Sequence, residues 1–103
     1  MKTARRPRSK PGAPSPDLPG IAARFRILSV PTRLAILHAL QDGELTVTEL
    51  TGRVRTSQPN VSKHLRVLME AGMVSRREQG ATTYCSIRDR TIFKLCDLVC
   101  AAG

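Results

Sequence analysis

Aromatic residues, long apolar runs and acidic residues are all scarce in this sequence. The 103-residue chain has no tryptophan, and its aromatic residues are Phe25, Tyr84 and Phe93. RNA-binding modules stack bases on aromatic side chains, so we expect no RNA partner. The best apolar run, residues 34–40, is interrupted by His38 and falls short of the ~20 residues that span a bilayer. We therefore expect no membrane partner either.

The sequence also lacks the residue combinations that carry catalysis. It has no Ser/His/Asp or Cys/His arrangement, no glycine-rich phosphate loop and no paired carboxylates, so we expect no enzyme. Proline and serine follow the basic N-terminus where a signal peptide needs an apolar segment, which predicts a cytoplasmic protein, nucleoid-associated when bound to DNA. In that reducing compartment Cys85, Cys96 and Cys100 favour packing, metal binding or redox chemistry over a disulfide scaffold.

Positive charge is what the chain has in excess. Lys and Arg number 17 against 8 Asp and Glu, a net charge of +9 that suits a polyanion such as nucleic acid. Residues 1–19 hold five of the seven prolines and five basic residues. We predict that they form a disordered basic arm, which either adds nonspecific phosphate contacts or is only a solubilising leader. Residues 20–103 then form one small domain.

Apolar residues at helical spacing predict two helices after the arm. The first begins near Gly20, stops before Pro31 and presents three apolar residues on one face: Ile21, Phe25 and Leu28. The second begins at Pro31, ends before Gly43 and presents another apolar stripe: Leu34, Leu37 and Leu40.

Capping signals predict two further helices and then a hairpin. Thr46 and Glu49 fit a capping box that starts a helix over residues 47–54. After a short polar turn, Ser57 is the predicted N-cap of a longer helix that ends at Gly72. Two β-rich runs follow, residues 73–78 and 81–87, and the predicted turn between them is Gln-Gly at 79–80.

The last segment, residues 89–102, is helical in its spacing but apolar on nearly every side. Such a helix needs a second surface to cover it, and in so small a chain the simplest cover is another copy. We therefore predict a winged helix-turn-helix fold, mainly α with a β-hairpin wing, that dimerises through its first and last helices. The predicted dimer interface consists of Ile21, Phe25, Leu28, Ile92, Leu95, Cys96 and Val99.

Four motifs resemble the ArsR/SmtB family of bacterial repressors. They are Val-Pro-Thr-Arg-Leu at 30–34, Thr-Glu-Leu at 48–50, Ser-Gln-Pro-Asn-Val-Ser-Lys-His-Leu at 57–65 and Glu-Ala-Gly-Met-Val at 70–74. The resemblance covers about residues 20–100. It implies a dimeric repressor of double-stranded DNA, and many members of the family leave DNA when a metal ion or metalloid binds. Dimer symmetry further predicts an inverted-repeat operator.

The helix that follows Ser57 is the predicted recognition helix. Gln58 and Asn60 carry paired donors and acceptors that suit base edges, particularly adenine. Alternatively, both are ordinary solvated residues and Ser57 is only a cap. We expect His64 to pack or cap rather than contact DNA, because it lies near the inward face. The predicted phosphate contacts are Ser57, Ser62, Lys63, Arg66, Arg76, Arg77 and the backbone around Gly80.

The cysteines depart from the family pattern. Arsenic and cadmium sensors of the family carry Cys-x-Cys where this chain has Thr-Gly-Arg at 51–53, and zinc sensors use an Asp-x-His of which only Asp89 is present. Cys96 and Cys100, spaced i and i+4, suit a thiophilic ion such as trivalent arsenic, trivalent antimony or Cu(I) better than a disulfide. Cys85 or a cysteine of the partner subunit is the candidate third ligand. Alternatively, the thiols pack as small hydrophobes or sense reactive sulfur or oxidants.

The leading hypothesis is a dimeric DNA-binding repressor that needs no cofactor to bind DNA and is released by a thiophilic effector. Two alternatives stay open. One is a repressor of the same fold without a metal effector, and the other is a nonspecific nucleoid-type DNA-binding protein. A preference for one site that resists salt distinguishes them, because counterion release alone supplies only nonspecific affinity.

Overall fold

Residues 15–102 form five helices and three strands in a computed structural model that describes side chains through residue 99. In chain order the elements are α1 (Leu18–Leu28), α2 (Pro31–Ala39), β1 (Leu45–Thr46), α3 (Val47–Val54), α4 (Gln58–Glu70), β2 (Val74–Gln79), β3 (Thr82–Ile87) and α5 (Arg90–Ala102). The sheet is antiparallel, with the order β1-β3-β2. With α3 and α4 as the helix-turn-helix and β2 and β3 as the wing, this is the predicted winged helix-turn-helix fold.

Helix α1 begins at Leu18, two residues before the predicted start. The side chain of Asp17 accepts a hydrogen bond from the backbone N–H of Gly20, 3.1 Å away, and Pro19 is tolerated in the first turn. The boundary predicted for the basic arm therefore overlaps the helix at residues 18–19. Residues 1–14 of that arm lie outside the described part of the chain.

The helix-turn-helix begins and ends as its capping signals predict. The hydroxyl of Thr46 accepts from the backbone N–H of Glu49 at 3.1 Å, and the Glu49 carboxylate accepts from the backbone N–H of Thr46 at 3.0 Å. Ser57 caps α4 by accepting from the backbone N–H of Asn60 at 3.3 Å. Between the helices Arg55 has a left-handed backbone, with φ of 59°. This conformation lets the chain change direction within the three residues that separate α3 from α4.

The core lies between α2, α3, α4 and the sheet. On α2, Ile36 rather than Leu34 completes the buried stripe, so that part of the prediction is wrong. Leu34 is 40% exposed because it borders a cleft toward α1 and α5 instead of facing α3 and α4. The largest fully buried side chains are Ile36, Leu37, Leu40, Val61, Leu50, Leu68, Met73 and Cys85.

The wing is a hairpin with a third strand at its base. Gln79 pairs with Thr82, so the turn is Gly80-Ala81, one residue later than predicted. Gly80 has φ of 61° at the first turn position, a conformation that type II′ hairpin turns require and glycine adopts without strain. Strand β1, which pairs Leu45 and Thr46 with β3, was not predicted because two residues are too short to show alternation.

Helix α5 returns to the body of the domain. Asp89 accepts a hydrogen bond from the backbone N–H of Thr91 at 3.0 Å and forms an ion pair with Arg24 of α1 at 3.6 Å. Within residues 15–102, no helix is both long and apolar enough to cross a membrane.

Candidate nucleic-acid interface

One side of α4 is exposed and polar. Gln58, Ser62 and Arg66 are exposed and follow one another at four-residue spacing, which aligns them along a single ridge of the helix. Lys63 is exposed beside that ridge. Val61, Leu65 and Leu68 hold the opposite side in the core. The hydrophobic face thus fixes which polar side chains the helix presents.

A groove of about 530 Å³ runs between this ridge, the start of α3 and the wing. We call it the α4–wing groove. It brings the predicted residues Gln58, Ser62, Arg66 and Arg76 together on one surface, and Gly80 lies exposed at the adjoining tip. Its lining residues are Thr46, Val47, Thr48, Gln58, Ser62, Leu65, Arg66, Met69, Glu70, Arg76, Ala81, Thr82 and Thr83.

Three threonines of the groove were missed from the sequence. Thr48 lies at the start of α3, and Thr82 and Thr83 directly follow the hairpin turn. Hydroxyl groups are common phosphate contacts, so residues beside a predicted wing tip were a usable signal. Thr48 could not be assigned in this way, because only the packing of α3 against α4 brings it to the groove.

The groove combines cations, an amide and hydroxyl groups. Arg66 and Arg76 supply guanidinium groups, and Glu70 is the acidic residue of the lining. Arg76 also forms an ion pair with Glu78 at 3.3 Å, but both side chains are 60% exposed and the pair is weakened by solvent. Arg76 can therefore exchange this partner for a phosphate at little cost. This mixture of groups suits a nucleic-acid backbone and base edges.

Ser57 and Asn60 lie outside the lining of the groove. The Asn60 amide donates through Nδ2 to the Thr56 hydroxyl at 3.1 Å, and the side chain is half-buried. One of its two amide hydrogens is therefore committed to the turn between the helices. Gln58 lines the groove, so its amide donors and acceptor can all reach a base edge. Asn60 lies outside the lining and has one amide hydrogen bonded to Thr56.

The guanidinium of Arg77 lies on the opposite face of the wing from Arg76, because neighbouring side chains of a strand alternate in direction. Its carbon is 4.5 Å from the centroid of the Tyr84 ring. The Glu44 carboxylate accepts from Nη2 at 2.7 Å and from Nε at 3.2 Å, and Gln79 accepts from Nη1 at 2.7 Å. The hydrogen bonds from Arg77 lower the pKa of Glu44. Arg77 was predicted to contact phosphate; its side chain is 51% exposed and is held by Glu44 and Gln79 on the face opposite Arg76.

His64 is packed, as predicted. It is 9% exposed, and its Nδ1 accepts a hydrogen bond from Arg33 Nε at 3.1 Å. Arg33 also donates to the backbone carbonyl of Ile27 at 3.4 Å. Burial lowers the pKa of His64, and the nearby cations Arg33 and Lys63 lower it further. The neutral imidazole of His64 thereby joins α4 to Arg33 of α2, and Arg33 in turn joins α2 to the end of α1.

The cysteines lie in different surroundings. Cys85 is fully buried in the core beneath the sheet, and burial raises the pKa of its thiol. Cys96 is half-buried on α5, where it lines an apolar cleft. The side chain of Cys100 lies outside the described part of the chain. Among the described side chains, no group of three or more His, Cys, Asp or Glu residues could hold a metal ion.

The apolar cleft has a volume of about 440 Å³ and opens between α1, α2 and α5. The exposed side chains of Phe25, Leu34 and Val99 line it, and Leu18 and Ile21 lie on the Phe25 side of α1 at helical spacing; we call these five residues the α1–α5 apolar face. Of the predicted interface residues, Ile21, Phe25 and Val99 belong to this face, and Leu95 and Cys96 line the cleft. Leu28 also lines the cleft but is only 8% exposed, and Ile92 is 6% exposed; both belong to the core cluster of the protomer.

The chain is similar in sequence to known transcriptional regulators. Residues 30–76 match the family model described as bacterial regulatory protein, arsR family. The chain is 35% identical over 92 residues to the HTH-type transcriptional regulator NmtR of Mycobacterium tuberculosis, covering 87% of this chain and 77% of that protein. It is 40% identical over 78 residues to the "Probable mercury resistance operon repressor" of Streptomyces lividans, covering 75% of this chain and 62% of that protein.

A solved structure shares the architecture. The solution structure of the homodimeric winged helix-turn-helix DNA-binding domain of Mb0332 from Mycobacterium bovis superposes with a TM-score of 0.74 at 27% identity, covering 82% of this chain and 79% of that one. Sequence and fold together show that the chain belongs to the arsR family of bacterial transcriptional regulators.

Proposed function

We propose that the protein is a homodimeric repressor that binds an inverted-repeat operator in double-stranded DNA through the α4–wing groove. The observation that carries the proposal is the convergence of Gln58, Ser62, Arg66 and Arg76 on that groove. These groups come from a recognition helix and a wing, the two elements that a winged helix-turn-helix applies to DNA.

In this proposal α4 enters the major groove with its N-terminal end toward the bases. The Gln58 amide offers a donor and an acceptor to one base edge, and the hydroxyl of Ser62 and the guanidinium of Arg66 contact phosphate on the flanking strand. Arg76 and the hydroxyl of Thr83, which lie on the same face of the wing, contact the backbone there. Lys63 adds positive charge beside the ridge, and the Ser57 cap fixes the orientation of the first turn.

A second copy covers the α1–α5 apolar face. Leu18 is 64% exposed, Phe25 is 55% exposed and Val99 is 66% exposed, and a group of exposed large apolar side chains is typical of an interaction site. The homodimeric M. bovis domain shares the fold. A two-fold dimer presents two α4 helices to successive major grooves, about 34 Å apart, which is why the operator is proposed to be an inverted repeat.

Fluorescence anisotropy on the protein's own promoter duplex tests the proposal. The reduced protein is titrated onto that duplex and onto a scrambled duplex of equal length and composition, at low and at near-physiological salt. A preference for the promoter that persists as salt rises supports a specific repressor. Equal affinities with a steep salt dependence would instead support nonspecific, nucleoid-type binding.

The proposed effector is a thiophilic ion, such as trivalent arsenic or antimony, held by Cys96 and Cys100 at the dimer face. Cys96 lines the apolar cleft in which Val99 also lies, so ligation there would shift one protomer against the other and lower DNA affinity. The name of the S. lividans relative refers to mercury, another thiophilic metal. Cys85 fits poorly as the third ligand, because its thiol is fully buried and favours the protonated form. A cysteine of the partner subunit is the better candidate.

Arsenite added to the protein–promoter complex tests this effector. Release of the wild type but not of a Cys96→Ser/Cys100→Ser variant supports a thiol-based switch. If both stay bound, arsenite is not the signal, and the regulator responds to another ion, to a sulfur species or to no small ligand.

A further inference from the structure

We propose that Arg77 is a positioning residue, which holds the wing at its working angle through Glu44 and Tyr84 instead of contacting phosphate. The inference rests on the proposed DNA-binding function. We call the three side chains the wing clamp.

The wing clamp spans the width of the three-stranded sheet. Arg77 lies on the outer strand β2, Tyr84 lies on the central strand β3, and Glu44 directly precedes β1 on the far edge. The Arg77 guanidinium stacks on the Tyr84 ring at 4.5 Å and reaches the Glu44 carboxylate with two hydrogen bonds of 2.7 and 3.2 Å. Paired hydrogen bonds between a guanidinium and a carboxylate fix direction as well as distance.

The clamp lies where the sheet narrows. Arg77 pairs with Tyr84, and Tyr84 pairs with Thr46, so this is the last row in which three strands are present. Beyond it, toward Gly80, the wing is a two-stranded hairpin whose β2 side chains are exposed. Two-stranded hairpins are marginally stable by themselves, so their direction depends on what holds their base. The clamp is the side-chain contact at that base, on the face opposite the α4–wing groove.

Three of the five N–H donors of Arg77 are already in hydrogen bonds. Glu44 takes two of its N–H groups, and Gln79 takes a third at 2.7 Å. Like any glutamate, Glu44 is ionised at neutral pH, and the hydrogen bonds from Arg77 lower its pKa further. A phosphate that made the same paired contact would have to displace this carboxylate. Arg76, which faces the groove with one exposed partner, is the cation better placed to meet phosphate.

The positioning role and a purely electrostatic role predict different effects on DNA affinity when Glu44 is neutralised. Removing an acidic residue from a DNA-binding protein ordinarily strengthens DNA binding or leaves it unchanged, because less negative charge repels the phosphates. If Glu44 positions the wing through Arg77, Glu44→Gln instead weakens binding. Glu78→Gln is the matched control, since Glu78 is an exposed wing acid that pairs with Arg76 and lies outside the clamp.

The experiment measures the promoter affinity and its salt dependence for the wild type, Glu44→Gln, Glu78→Gln and Arg77→Lys. All four are checked for folding by circular dichroism at the assay temperature. We expect Glu44→Gln and Arg77→Lys to bind about threefold more weakly with the wild-type salt slope, because lysine keeps the charge but cannot make the paired, stacked contact. We expect Glu78→Gln to bind at least as tightly as the wild type.

Tighter or unchanged binding by Glu44→Gln overturns the positioning role, and so does near-wild-type affinity of Arg77→Lys. The wild type is measured first on promoter and scrambled duplexes. If it shows no preference for the promoter, the proposed function itself fails, a result distinct from any failure confined to the clamp variants.

Discussion

Arg33 Nε donates a hydrogen bond to His64 Nδ1 across 3.1 Å and thereby ties α2 to the recognition helix α4. The contact spans 31 residues of sequence and is partly buried. It requires a neutral imidazole, because a protonated ring has no acceptor at Nδ1. This contact between α2 and α4 is therefore expected to be lost when His64 is protonated.

Stability is expected to fall as the pH drops below about 6.5. Burial and nearby cations lower the pKa of His64 in the folded state, whereas unfolded histidine titrates near 6.5. The unfolded chain then binds more protons, so the contribution of His64 to the free energy of unfolding is fully present above pH 6.5 and is lost as the pH falls through the lowered pKa. Urea denaturation between pH 7.5 and 5 measures this loss.

His64→Gln provides the control for that series. The glutamine side chain can still accept from Arg33 but does not titrate. We expect the variant to lose less stability than the wild type over the same pH range. Equal pH dependence in both proteins would show that His64 is not the group responsible.

The turn between α3 and α4 contains a strained residue. Arg55 has φ of 59°, and a left-handed backbone costs a non-glycine residue about 1 to 2 kcal/mol. We expect Arg55→Gly to raise the free energy of unfolding by about 1 kcal/mol, after allowance for the greater freedom of glycine in the unfolded chain. Arg55→Ala removes the same side chain but keeps the strain, so its stability should stay near or below that of the wild type. Equal stabilisation by both variants would assign the effect to the lost charge.

Gln58 and Asn60 are expected to behave differently in DNA binding. Gln58 lines the α4–wing groove, so Gln58→Ala should lower the preference for promoter over scrambled duplex by about 1 to 3 kcal/mol. Asn60 donates to Thr56, and Asn60→Ala should mainly reduce stability, by about 1 kcal/mol. Anisotropy and urea denaturation measure the two effects. The assignment is wrong if Asn60→Ala loses the greater share of the preference.

The α1–α5 apolar face gives a prediction about assembly. Val99→Glu puts a carboxylate on that face and is expected to yield a monomer at concentrations where the wild type sediments as a dimer. Lys94→Glu introduces the same charged group on an exposed position of the same helix and should leave the dimer intact. A dimeric Val99→Glu protein would place the interface elsewhere.

Local signals predicted the helix-turn-helix well. The reciprocal bonds of Thr46 and Glu49 and the Ser57 cap depend on residues three apart, so the sequence contains both partners within one turn. The winged helix-turn-helix fold followed from the order of these elements. The position of the hairpin turn was wrong by one residue, because Gly80 suits either place and only the pairing of Gln79 with Thr82 settles it.

Contacts between distant segments were not predictable in the same way. Arg77 was predicted to contact phosphate because a basic residue on a wing usually does so. Its partner Glu44 is 33 residues away, and the two meet only because β1 joins the sheet beside β3. Likewise, Asn60 has the chemistry of a base reader, but the geometry of the turn assigns one of its donors to Thr56.

The central claim is that the α4–wing groove is the surface that meets DNA, and amide chemical shifts of ¹⁵N-labelled protein on addition of the promoter duplex test it most directly. We predict the largest changes at Gln58, Ser62, Arg66, Arg76 and Thr83, which line or border that groove. The cleft formed by the ends of α2 and α3, which carries Arg53 and Arg55, serves as the internal comparison. Changes concentrated in that second cleft, with the α4–wing groove unaffected, would contradict the account.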